Sequence, residues 1–140
     1  MAEFTAVALQ TVPENQSVYF TDATIGGNNS IVHRAGSGLV TLRGLTCQCR
    51  ARFRVMFGAN IAIPADGTVG PISLAISIGG EPVQSTIMIE TPAAVEEFSN
   101  VFSAAFIDVP CGCCLQVSVR NTSDQPIDVQ NANLIVERVA

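Results

Sequence analysis

Apolar and polar residues alternate one by one along residues 47–63, which is the strongest pattern in the chain. The odd positions are all Cys, Ala, Phe, Val or Ile, and most even positions are polar or glycine. Successive side chains of a β-strand point to opposite faces, so this alternation predicts one long strand with a buried face and a solvated face. The solvated face carries Arg50, Arg52 and Arg54. These arginines could form ion pairs with carboxylates on a neighbouring strand. An exposed ion pair stabilises the fold by about 0–1 kcal/mol.

Two shorter segments, 72–78 and 113–119, alternate in the same way and are predicted as half-buried strands. Further short runs of β-type residues are bounded by turn signals such as Gly79-Gly80. These runs are residues 5–9, 18–20, 30–33, 39–42, 86–89, 127–130 and 133–139. The chain is therefore predicted to be all-β, a jelly-roll β-sandwich of about ten antiparallel strands. Because 140 residues fit one hydrophobic core, residues 1–140 are predicted to form a single domain.

Residues 101–109 are apolar on both faces of a predicted strand, interrupted by Ser103 and Asp108. Such a strand is either covered twice by its own fold or packed with one face against another subunit. Composition favours the second arrangement, because 48% of residues are hydrophobic, only 14% are charged and mean hydropathy is +0.38. A lone subunit of this size would leave apolar surface exposed. The predicted oligomer interface comprises Val101, Phe102, Ala104, Phe106 and Ile107.

Residues 92–98 hold the one helix candidate of the chain. Pro92 suits the first helical position and Thr91 suits the N-cap, so a helix of about two turns is one interpretation. A structured loop is the other.

The charge balance argues against nucleic acid as a partner. The net charge is −5, and the basic residues are seven arginines with no lysine, whereas phosphate binding depends on clustered basic residues. There is no apolar run of membrane-spanning length and no basic and hydrophobic leader of the secretory type. We therefore expect no membrane partner, and synthesis in the cytoplasm.

Five cysteines form the most conspicuous chemical feature of the sequence: Cys47, Cys49, Cys111, Cys113 and Cys114. A zinc site is disfavoured because C-x-C on a strand holds its sulfurs about 7 Å apart. A disulfide between the two groups requires oxidising surroundings, such as those met by a particle outside the cell. The third interpretation is that cysteines on the apolar face of a strand act as small hydrophobic residues.

The residues offer little for catalysis. His33 is the single histidine, so one side chain would have to supply the base for any nucleophile and the imidazole for any metal site. No calcium-loop or phosphate-loop pattern is present. We therefore expect no enzyme activity, no cofactor and no metal.

The order of landmarks resembles the jelly-roll family of tumour necrosis factor and the complement globular heads, in particular its bacterial and phage relatives. The resemblance extends over nearly the whole chain and rests on the long strand at 49–63, the segments 67–76 and 80–83, and the strands at 100–110, 117–121 and 133–136. It implies a compact homotrimer in which a sheet edge of one subunit packs on a sheet face of the next. Residues 101–109 would supply that contact.

The resemblance also implies a setting. Look-alikes occur at the tips of collagen-like bacterial filaments and as accessory virion proteins; because no Gly-X-Y stalk precedes the first strand-like sequence, we expect a particle component. The leading hypothesis is a trimeric phage, prophage, virion or spore-surface module. A carbohydrate-binding module is the alternative, although sugar sites usually stack on aromatics and the chain has no Trp and one Tyr, Tyr19. A cupin-type metal enzyme would need several histidines.

Overall fold

The computed structural model describes residues 1–26, 30–44, 50–110 and 114–140. Nearly all regular structure in this part of the chain is β-strand, with one short 3-10 turn at Gln84–Thr86. The strands are β1 (Ala2–Ala6), β2 (Gln10–Val12), β3 (Asp22–Ile25), β4 (Ile31–His33), β5 (Val40–Arg43), β6 (Arg50–Ala62), β7 (Ile72–Ile78), β8 (Glu81–Pro82), β9 (Met88–Glu90), β10 (Ser99–Pro110), β11 (Cys114–Asn121) and β12 (Ile127–Arg138).

The strands form two antiparallel sheets. The first sheet has the order β10-β6-β12-β1-β3, and β2 pairs with a second stretch of β12. The second sheet has the order β4-β5-β11-β7-β8, and β9 also pairs with β7. The predicted all-β sandwich of antiparallel strands is therefore confirmed.

The core lies between the sheets and follows directly from the alternation in the sequence. On β6, Phe53, Val55 and Phe57 are fully buried, as are Leu74 and Ile76 on β7. The buried side chains of both sheets belong to one continuous cluster. Each fully buried Leu, Ile or Phe contributes about 1.5–3 kcal/mol relative to an exposed one, so this cluster is the main source of stability.

The predicted helix at 92–98 is wrong, and the alternative of a structured loop is confirmed. Glu96 has φ of 58°, a left-handed conformation that a right-handed helix excludes. Its backbone N–H donates to the carbonyl of Ile63 at 2.8 Å rather than to a carbonyl one turn earlier. This bond ties the loop to the end of the β6 segment.

The two strands predicted at 127–130 and 133–139 are one strand, β12, interrupted by a bulge. The register shifts between Gln130 and Asn133, and Asn131 takes φ of 55°, which is a common bulge conformation for asparagine. The bulge lets one strand pair with β2 over its first part and with β1 over its second.

The strand predicted at 18–20 is wrong, although Val18 and Phe20 are fully buried. The segment is held by single bonds to different elements: the N–H of Val18 donates to Val119 and that of Phe20 donates to Ser37. The Gln10 side chain bonds both backbone groups of Tyr19. Its burial therefore comes from packing and not from a ladder of backbone bonds.

Other strand bounds differ from the predictions by a few residues. The run at 5–9 lies largely outside β1 (Ala2–Ala6), and Val7 and Leu9 are exposed. The run at 86–89 begins in the 3-10 turn, because the backbone N–H of Thr86 donates to the carbonyl of Val83 at 2.9 Å; the Thr86 hydroxyl accepts from the N–H of Ile76. β2, β3 and β8 were not predicted, since each is short and lacks a clear alternation.

Candidate functional site

The outer face of β10 carries large apolar side chains in contact with solvent. β10 lies at the edge of the first sheet and pairs only with β6 among the described strands. Phe102 and Phe106 are 62% and 65% exposed, and Ala104 lies between them on the same face and is also exposed. Neighbouring phenylalanine rings that are more than half exposed are rare on protein surfaces unless they form a binding surface.

The five residues of the predicted interface divide between the two faces of β10. Val101 and Ile107 are buried in the chain's own core, at 8% and 2% exposure. The prediction that these two residues belong to the outer surface is therefore wrong, because successive residues of a strand point to opposite faces of the sheet. Phe102, Ala104 and Phe106 are the three whose side chains are on the outside.

The apolar surface continues across the neighbouring strands. Ala104 lies opposite Met56 on β6, and Met56 lies opposite Ile135 on β12. Phe102 lies opposite Gly58; a Cβ on that glycine would stand 3.8 Å from Cδ2 of the ring. We refer to Phe102, Ala104, Phe106, Met56, Gly58 and Ile135 as the apolar face of the first sheet.

Met56, Gly58 and Ile135 were not among the predicted interface residues, and the prediction did not separate the two sides of β10. A signal was present in the parity of the positions. Asp108 has the same parity as Phe102 and Phe106, and an aspartate on a strand next to the arginine-bearing β6 marks the outer side. Met56 likewise shares parity with the arginines of β6.

Two ion pairs border the apolar face. The Arg52 guanidinium donates to both Asp108 oxygens, from Nε at 2.7 Å and from the terminal nitrogen at 3.1 Å. The hydrogen bond and the charge of Asp108 raise the pKa of Arg52 above its ordinary value. Arg54 donates to Glu137 of β12 at 2.7 Å. The prediction that arginines on β6 pair with carboxylates on neighbouring strands is confirmed for Arg52 and Arg54.

Most of the cysteine cluster lies outside the described residues. Cys47, Cys49, Cys111 and Cys113 fall there, and Cys114 is the exposed first residue of β11. Strand residues beside the two undescribed segments that contain these cysteines pair with each other: Cys114 with Arg43, and Pro110 with Arg50. The three interpretations of the cysteines remain predictions.

His33 is held by packing and by one backbone group. Its ring lies 4.5 Å from the Phe4 ring, centroid to centroid, and 6.3 Å from that of Phe20. Its Nε2–H donates to the carbonyl of Ser37 at 2.9 Å. The imidazole therefore stabilises the turn after β4.

The described residues hold neither a cluster of metal ligands nor a membrane-spanning helix. In this part of the chain no group of three His, Cys, Asp or Glu side chains is arranged to hold a metal ion. None of its helical segments has the length and apolar character needed to cross a bilayer.

Comparison with solved structures identifies the architecture. The globular domain of zebrafish complement 1qA protein superposes with a TM-score of 0.70 at 14% identity, over 99% of this chain and 96% of that one. The chain has a tumour-necrosis-factor-like jelly-roll fold. Murine APRIL, solved at pH 5.0, superposes on this jelly roll with a TM-score of 0.65 at 9% identity, over 97% and 98% of the two chains.

The resemblance inferred from the sequence is therefore confirmed at the level of fold. No protein-family model and no curated protein sequence matches the chain. At identities this low the likeness establishes the jelly roll alone, and function must be argued from the chain's own surfaces.

Proposed function

We propose that this jelly roll is a self-assembling interaction module, a homotrimer in which the apolar face of the first sheet is covered by neighbouring copies, and that it is not an enzyme. The observation that carries the proposal is the pair of phenylalanines, 62% and 65% exposed. With roughly 200 Å² per phenylalanine side chain, each leaves about 125 Å² of apolar surface in water. Covering that area is worth about 3 kcal/mol per ring.

The surroundings of these rings have the anatomy of a protein interface. Met56, Gly58 and Ile135 extend the apolar centre, and the charged pairs Arg52–Asp108 and Arg54–Glu137 lie along one border. Interfaces between subunits commonly combine an apolar centre, rich in aromatic residues and Met, with a polar rim. The position of β10 at a sheet edge also suits the edge-on-face packing that the family resemblance implies.

The proposed setting is a phage or prophage virion, as a decoration or fibre component, or a bacterial or spore surface. The resemblance to bacterial and phage jelly rolls supports this setting. We infer that residues 1–140 act as one domain, with the loops at the ends of the sandwich available for receptors or other particle proteins.

The mass of the protein in solution tests the assembly. Light scattering coupled to size exclusion, at micromolar concentration, is expected to give about 44 kDa, three times the 14.7 kDa of one chain. A mass that stays near 14.7 kDa across this range would overturn the proposal. Mass spectrometry of purified virions and spore coats tests the setting separately, since the chain should co-purify in constant ratio with a known coat or tail protein.

A further inference from the structure

The second sheet, opposite to the apolar face, has a shallow hollow of about 500 Å³ on its outer surface, lined by both polar and apolar side chains. Ligand sites commonly have volumes of about 300–1,000 Å³. The residues that matter here come from β7, β9, β11 and the loops beside them: Asn15, Ser73, Gln84, Ile89, Arg120 and Thr122.

Arg120 is the only charged side chain among the described residues that line this hollow. One terminal nitrogen donates to the carbonyl of Gly80 at 2.5 Å, which fixes the guanidinium against the turn between β7 and β8. Its Nε is buried and closed to solvent, so the terminal nitrogens are the donors left to a ligand in the hollow. Unlike Arg52 and Arg54, it makes no ion pair within the described part of the chain. A guanidinium without a charged partner strongly favours an anionic ligand, because hydrogen bonds between charged groups are stronger than neutral ones.

Hydroxyl and amide groups surround this guanidinium. The hydroxyls of Ser73 and Thr122 bond to each other at 2.7 Å, and either can act as donor or acceptor. Asn15 and Gln84 add exposed amides, and Ile89, 67% exposed, adds an apolar wall. A sugar presents the matching features, because its hydroxyls donate and accept while its C–H face packs on apolar side chains.

The hollow opens into a longer groove. It shares Ser73, Ile89 and Thr122 with a neighbouring hollow of about 320 Å³ that reaches Pro71 and Asp124. Those two residues in turn line a third hollow of about 380 Å³. A groove of three adjoining hollows suits a chain of several sugar units better than a single small anion.

We propose that this groove binds an oligosaccharide carrying one carboxylate, with the acidic sugar at Arg120 and uncharged sugars toward Asp124. The planar guanidinium matches the two oxygens of a carboxylate. Asp124 disfavours a second carboxylate at the far end. The proposal goes beyond self-assembly and does not rest on it, because the groove and the apolar face lie on different sheets.

Isothermal titration calorimetry on the full chain tests the proposal, with xylotriose bearing one glucuronic acid as the probe and xylotetraose as its uncharged counterpart. We expect the charged probe to bind at least tenfold more tightly. Arg120→Gln should weaken that binding at least tenfold, whereas Arg34→Gln, which removes the same charge from an exposed position elsewhere, should leave it within twofold.

A second variant keeps the test valid if Arg120→Gln fails to fold. Ile89→Glu places a carboxylate at the wall of the hollow without touching the bond from Arg120 to the turn, and it should also weaken binding at least tenfold; Leu39→Glu is its matched control. Melting temperature and mass are measured for every variant, so failure of assembly is distinguished from failure of this site. Absence of binding to the unaltered chain, equal binding of the two probes, unchanged affinity of the folded Arg120 and Ile89 variants, or equal binding of acetate would each overturn the proposal.

Discussion

Replacement of Phe106 by threonine should dissociate the assembly while leaving the subunit folded. Phe106 is 65% exposed, and threonine is β-branched and suits a strand, so the free energy of unfolding of the monomer should change by no more than about 0.5 kcal/mol. The rings lost from the interface are three per trimer.

The size of the effect follows from the area. About 130 Å² of ring surface per subunit, at about 25 cal/mol per Å², gives about 3 kcal/mol per subunit and about 9 kcal/mol per trimer. One factor of ten corresponds to about 1.4 kcal/mol, so the trimer dissociation constant should rise by about 10⁶. In a monomer–trimer equilibrium the midpoint concentration scales as the square root of that constant, so it should rise about a thousandfold. If only half of each ring is covered, the same arithmetic gives a rise of about thirtyfold in the midpoint concentration.

Sedimentation equilibrium over a range of subunit concentrations measures this midpoint directly. Val32→Thr is the control, because Val32 is also an exposed strand residue, at 37%, but lies on β4 of the second sheet. If the Phe106 variant keeps the midpoint of the control, the rings are not covered in the assembly and the reasoning from exposed area fails.

Three further predictions concern the stability of the subunit. Asn121→Ala should lower the free energy of unfolding by about 3 kcal/mol, because the two N–H groups of the buried amide are shared among three backbone carbonyls; a loss below about 1 kcal/mol in urea titration would contradict this. Phe57→Ala should lower the free energy of unfolding by about 3–5 kcal/mol in the same assay, since the ring is fully buried. Phe102→Ala should lower that of the monomer by less than about 0.5 kcal/mol. Similar losses for the two variants would contradict the difference in burial. A double-mutant cycle on Arg54 and Glu137 should give a coupling of about 0.5 kcal/mol that falls in 1 M salt; a salt-independent coupling would rule out a Coulombic origin.

The fold was largely predictable because burial and strand periodicity follow the same alternation. Every odd position from Ala51 to Ile61 is buried, as the pattern requires. The prediction failed where local conformation overrides composition. Glu96 and Asn131 take left-handed backbone conformations that no periodicity reports. Val18 and Phe20 look like a strand because they are apolar, yet they are held by scattered bonds from other elements.

The candidate surfaces were less predictable than the fold. The sequence locates β10 and its excess of apolar residues, but residue size suggests the opposite orientation, since the two phenylalanines lie outside and Val101 and Ile107 inside. The groove at Arg120 was not predicted at all. Its side chains come from strands far apart in sequence, and only the register between β7 and β11 brings Ser73 close to Thr122.

The central place of β12 in the first sheet has a consequence for how the protein is made. β12 pairs with β1, β2 and β6, yet it follows the eleven other strands found in the described ranges. During translation the pair β6–β10 and the pair β1–β3 cannot be joined into one sheet until β12 has been made, and closing such long loops makes folding slow. Newly made subunits therefore pass through a period in which strand edges are open to wrong partners, and a cell lacking sufficient chaperone capacity should accumulate the chain as insoluble protein.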